Sequence, residues 1–252
     1  MERKMDVEVR MLEELSLNAH PAIDTIVYDG WVLRFAKGYT SRANSVNMLY
    51  PSQMPLANKI DFCESIYLKQ NLPTIFKVTP LSNNIDDILA KRGYVVLMPT
   101  NIMTKDIAQK PFPTVAHSVV AAEGISEDWQ NNYFRLNQTK IADVSVAKQI
   151  QGKIINRVLT ATIADENGVV ACGLGVIERD YVGLYDIIVS PQFRRKGYGH
   201  DICTSLLNKA GEFGVNRAYL QVVADNTSAI ELYQKMGFAD VYTYWYRVKN
   251  IS

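Results

Sequence analysis

The run Arg194-Arg195-Lys196-Gly197-Tyr198-Gly199 places three mobile positive charges around two glycines. Residues of these types at this spacing bind anions, phosphate above all. A short glycine turn exposes successive backbone N–H groups, and a helix starting there adds the positive end of its dipole. Gly197 and Gly199 lack the Cβ atoms that would hold a phosphate away from the backbone. The flanking sequence supplies the elements such a turn needs. An apolar, strand-like run, Tyr185-Asp186-Ile187-Ile188-Val189, leads through Pro191-Gln192-Phe193 into the loop, and an amphipathic run from Ile202 to Phe213 follows it. No Walker-type Gly-Lys-Ser/Thr follows the loop, which argues against a P-loop nucleotide site.

A second segment stands downstream, after a further strand-like run at Ala218–Ala224. Asn226-Thr227-Ser228 reads as a helix start, Ala229 to Met236 as about two helical turns, and Gly237 as the stop before Phe238. The spacing Arg-x-x-Gly-x-Gly of the loop resembles the acetyl-CoA pyrophosphate loop of the GNAT acetyltransferase superfamily. The downstream segment resembles that family's N-x-x-A-x-x-x-Y-x-x-x-G-F pattern, with Asn226, Ala229, Tyr233, Gly237 and Phe238 at the pattern's positions. Two motifs in order, separated by a strand, extend the resemblance over roughly residues 114 to 248.

The resemblance implies an acetyl-CoA-dependent N-acetyltransferase acting on an amine acceptor. It assigns the pyrophosphate to the backbone N–H groups of Arg195, Lys196, Gly197, Tyr198 and Gly199, with the side chains of Arg194, Arg195 and Lys196 around it. It places the backbone of Ile188 and Val189 beside the thioester, where an N–H can stabilise the tetrahedral oxyanion. Tyr233 becomes the general acid, because a phenol can protonate a departing thiolate. Asn226 caps its helix and can also bond the cofactor. Asp186 and Glu178 are alternative general bases, and positioning alone can also carry much of the rate. Trp129, Tyr133 and Phe134 fall in a region that lines acceptor sites in this superfamily, but their periodicity fits core packing better. No cysteine stands in a motif for a covalent acyl-enzyme, so direct transfer is expected. The alternative reading is a non-catalytic acyl-CoA-binding or sensing module, against which the retained Tyr233 speaks.

With 252 residues the chain is long enough for two cores. Its net charge of +1 argues against a broad nucleic-acid footprint. Cys63, Cys172 and Cys203 are far apart and read as buried thiols in a reducing compartment, and His20, His117 and His200 form no metal-ligand cluster. The charged opening Met1–Asp6 and the lack of a long apolar run lead to the expectation of a cytoplasmic protein without membrane partners, metal or nucleic acid.

Periodicity predicts helices near 7–18, 56–70, 85–91, 126–136 and 143–150. Strands are expected at 24–28, 31–35, 45–50, 74–78, 94–104, 115–122, 158–164, 169–177 and 242–248. Asp29-Gly30 and Asn167-Gly168 mark hairpin turns. Lys110-Pro111-Phe112-Pro113 is the expected boundary between domains 1–110 and 111–252. The halves also look alike: Ile85–Tyr94 parallels Ala229–Phe238, both ending in Lys-x-Gly-aromatic, with Gly93 and Gly237 144 residues apart. The fold class is therefore α/β with two tandem GNAT-like domains, each a mixed, mostly antiparallel sheet flanked by helices. The first half has Tyr50-Pro51-Ser52-Gln53-Met54-Pro55-Leu56 where the cofactor loop would be, and Leu89 where Tyr233 would be. It is expected to lack an acetyl-CoA site and to cover a sheet edge or wall the acceptor site. A tandem chain of this kind favours a monomer over a homodimer.

Overall fold

The computed structural model describes residues 4–108 and 114–251. The chain runs α1 (Lys4–Ala19), β1 (Asp24–Tyr28), β2 (Trp31–Phe35), β3 (Val46–Met48), α2 (Leu56–Lys69), β4 (Thr74–Val78), α3 (Asp86–Lys91) and β5 (Val95–Asp106). It continues through β6 (Val120–Glu123), α4 (Glu127–Leu136), α5 (Ile141–Gly152), β7 (Arg157–Asp165), β8 (Gly168–Glu178) and β9 (Tyr181–Val189). It ends with α6 (Tyr198–Glu212), β10 (Arg217–Val223), α7 (Thr227–Lys235) and β11 (Ala239–Lys249). Among the described residues, no helix is long and apolar enough to cross a membrane.

Contacts divide the chain into two compact units. The first comprises Met1–Asn101, Val223–Asp225 and Tyr242–Ser252; the second comprises Ile102–Val222 and Asn226–Val241. The boundary expected at Lys110–Pro113 lies outside the described residues. β5 and β11 each contribute residues to both units, so neither unit is a single stretch of sequence.

In the first unit the strand order is β1-β2-β3-β4-β11, with β3 and β4 parallel and the other neighbours antiparallel. Trp31, Leu33, Val46, Ile60, Tyr67, Phe76 and Leu89 form its core. Asp29 and Gly30 both take positive φ, +42° and +80°, as a tight hairpin turn requires. The last strand joins this unit for a chemical reason as well as a ladder. Tyr242 donates to Glu13 (2.6 Å), and Arg247 grips Asp86 through two nitrogens (2.8 and 2.7 Å). Glu13 and Lys77 form a fully buried ion pair at 2.7 Å, with the Lys77 ammonium 3.8 Å from the Tyr244 ring centroid. The Gly38–Asn44 loop is anchored at its end: the buried Asn44 carboxamide oxygen accepts from the N–H groups of Ala36 and Gly38.

The second unit has the order β10-β9-β8-β7-β6, in which β9 and β10 are parallel and the other pairs antiparallel. Its core gathers Leu159, Ala161, Val182, Leu184, Ile202, Leu206, Leu220 and Phe238. Burying a side chain of this size contributes about 1.5–3 kcal/mol. Ser126 caps α4 by accepting from the Trp129 N–H (3.1 Å), as its position in the sequence predicts. The strand expected from Val115 begins only at Val120, because the Asp201 carboxylate takes the N–H groups of Ala116 and His117.

Candidate active site

The site forms where β9 and β10 part. Their parallel register runs from Arg217↔Tyr181 to Leu220↔Leu184 and stops, although the strands continue to Val189 and Val223. A bulge in β9 accompanies the split. Cys172 pairs with Ile188 and Leu174 with Tyr185, so Gly173 faces two residues, Asp186 and Ile187, and Asp186 takes φ +52°. A Cβ at 173 would lie 2.5 Å from Ile202 Cγ2 and 2.6 Å from Ile187 Cδ1, so any larger residue would force those side chains to move. Gly173 is thus part of the site's support, and the glycines inside the strand pattern, Gly173 and Gly175, were its only sequence signal.

Beyond the bulge, backbone alternation decides which N–H faces the gap. Ser190 donates to Val170 of β8, so the neighbouring Val189 turns its N–H and C=O away from β8. The Val189 carbonyl accordingly accepts from Arg194 Nε at 3.3 Å rather than from the ladder. Of the two expected backbone donors, Val189 faces the gap and Ile188 faces β8.

The glycine loop follows directly. Arg195 takes φ +62°, and Gly197 sits at the N-cap of α6 with φ +89°. Arg195 lies 3.7 Å from Glu231, and Lys196 stands 5.4 Å from the Phe193 ring centroid. Tyr198 opens the helix and Gly199 packs beneath Leu232 and Val189. Asn226 caps α7 by accepting from the Ala229 N–H at 3.3 Å.

Tyr233 lies on α7, buried against Phe238. Burial, and secondarily Cys203, pushes its phenol well above the ordinary range. Asp186, on the bulge, accepts from the Tyr133 hydroxyl at 3.0 Å. Tyr133 packs with Trp129 at an interplanar angle of 7°, so the two rings are core as expected, yet one reaches the site through its oxygen. Glu178 is not brought there. It pairs with Tyr181 at the opposite end of the β8–β9 ladder, about 17 Å along the strand from Gly173, and accepts from Asn156 Nδ2 at 2.8 Å. Burial pushes the Cys172 and Cys203 thiols up to about 12, far from the thiolate a covalent mechanism would use.

The corresponding loop of the first unit is filled from within. The Asp29 carboxylate accepts from Ser52 Oγ (2.6 Å), the Gln53 N–H (3.1 Å) and the Met54 N–H (2.9 Å). Lys59, whose side chain is fully buried, lies 3.1 Å from the same carboxylate and 3.9 Å from the Trp31 ring centroid. The Ser52 hydroxyl, then the Met54 and Gln53 amides, hold the Asp29 carboxyl well below the usual carboxylate range.

Comparison with known proteins agrees with this geometry. The family described as "Probable histone acetyltransferase Rv0428c C-terminal" matches residues 6–247. The uncharacterized N-acetyltransferase YobR of Bacillus subtilis is 26% identical over 247 residues, covering 96% of this chain and 99% of that protein. The [ribosomal protein bS18]-alanine N-acetyltransferase of Escherichia coli K12 is 29% identical over 82 residues, 32% of this chain and 55% of its own length. Among solved structures, a GCN5-related N-acetyltransferase from Kribbella flavida shares the fold with a TM-score of 0.71 at 13% identity, covering 96% of both chains. A tandem GNAT protein from the clavulanic acid biosynthesis pathway does so with a TM-score of 0.65 at 11% identity, covering 94% of this chain and 87% of its own. The parted parallel strands, the glycine loop and the match along nearly the whole length make one assignment: the chain belongs to the Rv0428c C-terminal acetyltransferase family, within the GNAT N-acetyltransferases.

Proposed function

We propose that the second unit transfers an acetyl group from acetyl-CoA directly to an amine. The observation that carries this reading is the parting of β9 and β10 beside the Arg194–Gly199 loop, with Tyr233 on the next helix. The gap suits pantetheine, and the loop amides suit the pyrophosphate. The amine nitrogen attacks the thioester carbon, a C–N bond forms and the carbonyl oxygen becomes an oxyanion facing the Val189 N–H. When the C–S bond breaks, Tyr233 donates its proton to the leaving thiolate. Asp186, directly or through water, accepts the proton that the amine loses. The raised thiol pKa values of Cys172 and Cys203 support transfer without an acyl-enzyme.

The first unit, with Asp29 seated in its loop, is assigned no acetyl-CoA site, and the chain is read as a cytoplasmic monomer. The matched family's description and one relative's name carry protein acceptors, which supports including peptide amines among candidate acceptors. Calorimetric titration with acetyl-CoA should give one site per chain, and thiol release should follow when a panel of small and peptide amines is added. Two sites would overturn the assignment of the first unit, and no binding would overturn the function.

A further inference from the structure

Apart from the gap beside the glycine loop, the fold opens a cavity of about 370 Å³ whose lining residues all belong to the first unit. It lies beyond the carboxyl ends of β3 and β4. These strands are parallel at Val46↔Phe76 and Asn47↔Lys77, and the residues that follow them, 49–52 and 80–82, line the cavity. The crevice outside the carboxyl ends of parallel strands is a favoured ligand position in α/β sheets. The repeat makes it the first unit's counterpart of the gap between β9 and β10. It is not a second coenzyme site, because Asp29 already takes the N–H groups of Gln53 and Met54. Its volume is also near the low end for ligand pockets, about 300–1,000 Å³, and suits a molecule far smaller than acetyl-CoA.

The lining sets the chemistry of that molecule. Trp31, Met48 and Ile85 are buried and, with the half-buried Leu56 and Leu81, make an apolar floor. The Trp31 ring is fixed by the Lys59 ammonium, 3.9 Å from its centroid, and by Phe76 edge-on at 5.9 Å. The charged lining residues are one of each sign, Asp6 and Arg10, a single turn apart on one face of α1. Arg10 Nε donates to the Leu49 carbonyl at 2.8 Å, and the guanidinium carbon stands 5.5 Å from the Tyr50 ring centroid. Leu49 and Tyr50 both line the cavity, so the guanidinium is held on its wall. A ligand with one charge would leave the opposite charge of the cavity unanswered; a zwitterion answers both.

We propose that this cavity binds a free α-amino acid with an aliphatic side chain of leucine's size. The Arg10 guanidinium donates to its carboxylate, its ammonium donates to the Asp6 carboxylate, and its side chain lies over Trp31, Met48 and Leu81. The site gives the first unit a ligand of its own and does not depend on the function proposed above.

The test is calorimetric titration of the full chain with L-leucine, with isocaproate, which lacks the ammonium, and with isoamylamine, which lacks the carboxylate. The expected result is one L-leucine per chain, bound whether or not acetyl-CoA is present, and about a tenfold higher Kd for each singly charged analogue. Arg10→Gln should raise the L-leucine Kd about tenfold and abolish the preference over isoamylamine. Asp6→Asn should do the same against isocaproate. The analogues examine both contacts in the unaltered chain, so a variant that fails to fold leaves the test standing. Absence of L-leucine binding, equal Kd values for the three ligands, or an unchanged Kd in either folded variant overturns the proposal. Displacement of L-leucine by acetyl-CoA overturns it too, by placing the amino acid in the coenzyme's own site. A chain that binds L-leucine in this way but no acetyl-CoA overturns acetyl transfer and leaves the amino-acid site in place.

Discussion

In the first unit, the donors of Ser52, Gln53 and Met54 close on Asp29 from the β1–β2 turn, and Lys59 neutralises it from a fully buried position. In the second unit, the loop from Arg194 to Gly199 gathers cations, and the nearby carboxylate of Glu231 approaches only the Arg195 side chain, at 3.7 Å. At the repeat's spacing of 144 residues, Gln53 and Met54 correspond to Gly197 and Tyr198. Two loops in the same position of a repeated architecture thus differ in where their counter-charge comes from. One is satisfied by its own chain; on the function proposed above, the other is left for a ligand. A backbone anion site is therefore not evidence of anion binding until the nearest carboxylate of the chain has been located.

The comparison can be broken at several points. The first unit is built on internal ion pairs, so Lys77→Met, which strands the buried Glu13 carboxylate, should cost about 3–5 kcal/mol in denaturant unfolding. It should leave the Kd for acetyl-CoA unchanged; a lost cofactor site would mean that the second unit depends on the first for its own geometry. Tyr233→Phe should lower kcat about 100-fold, ~2.7 kcal/mol, at an unchanged Kd for acetyl-CoA. An unaltered kcat would remove the phenol from proton transfer. Gly197→Val, at φ +89°, should raise that Kd about 30-fold, ~2 kcal/mol, by reshaping the loop.

Asp29→Asn should have the smallest effect, and should leave the stoichiometry at one acetyl-CoA per chain because Pro51 and Pro55 still lack N–H groups. Since the folded state depresses the Asp29 pKa, its contribution is fully present above about pH 4 and fades as the pH falls toward the lower, folded value. The variant should therefore lose less Tm on acidification than the wild type. A second acetyl-CoA site in Asp29→Asn would show that the carboxylate alone keeps the first unit closed.

Much of the fold was legible because its signals are local. The alternating runs of β1 and β2 and the Asp-Gly turn between them, the Ser126 and Asn226 caps, and the Gly93 and Gly237 stops all act within a few residues. The glycine turn that leads from β9 into α6 was legible for the same reason. Other features depend on neighbours distant in sequence. Asp186, on the central strand, and Glu178, at a neighbouring strand end, stood as alternative bases until the ladder register placed Asp186 at the bulge and Glu178 at the far end. Tyr133 read as core and is core, but its hydroxyl finds Asp186, 53 residues away.

The sequence by itself determined the elements, their order, the repeat and the two motifs, because turn geometry, side-chain periodicity and helix caps are short-range physics. Only the tertiary structure decided that β11 completes the first unit, that Asp29 occupies the loop of that unit, that β9 bulges at Asp186, and that His117 reaches Asp201. Those outcomes depend on hydrogen bonds and ion pairs between residues tens to more than two hundred positions apart. Such partners are chosen by packing and by the demand that buried charges be paired, and neither is written in any one stretch of the chain.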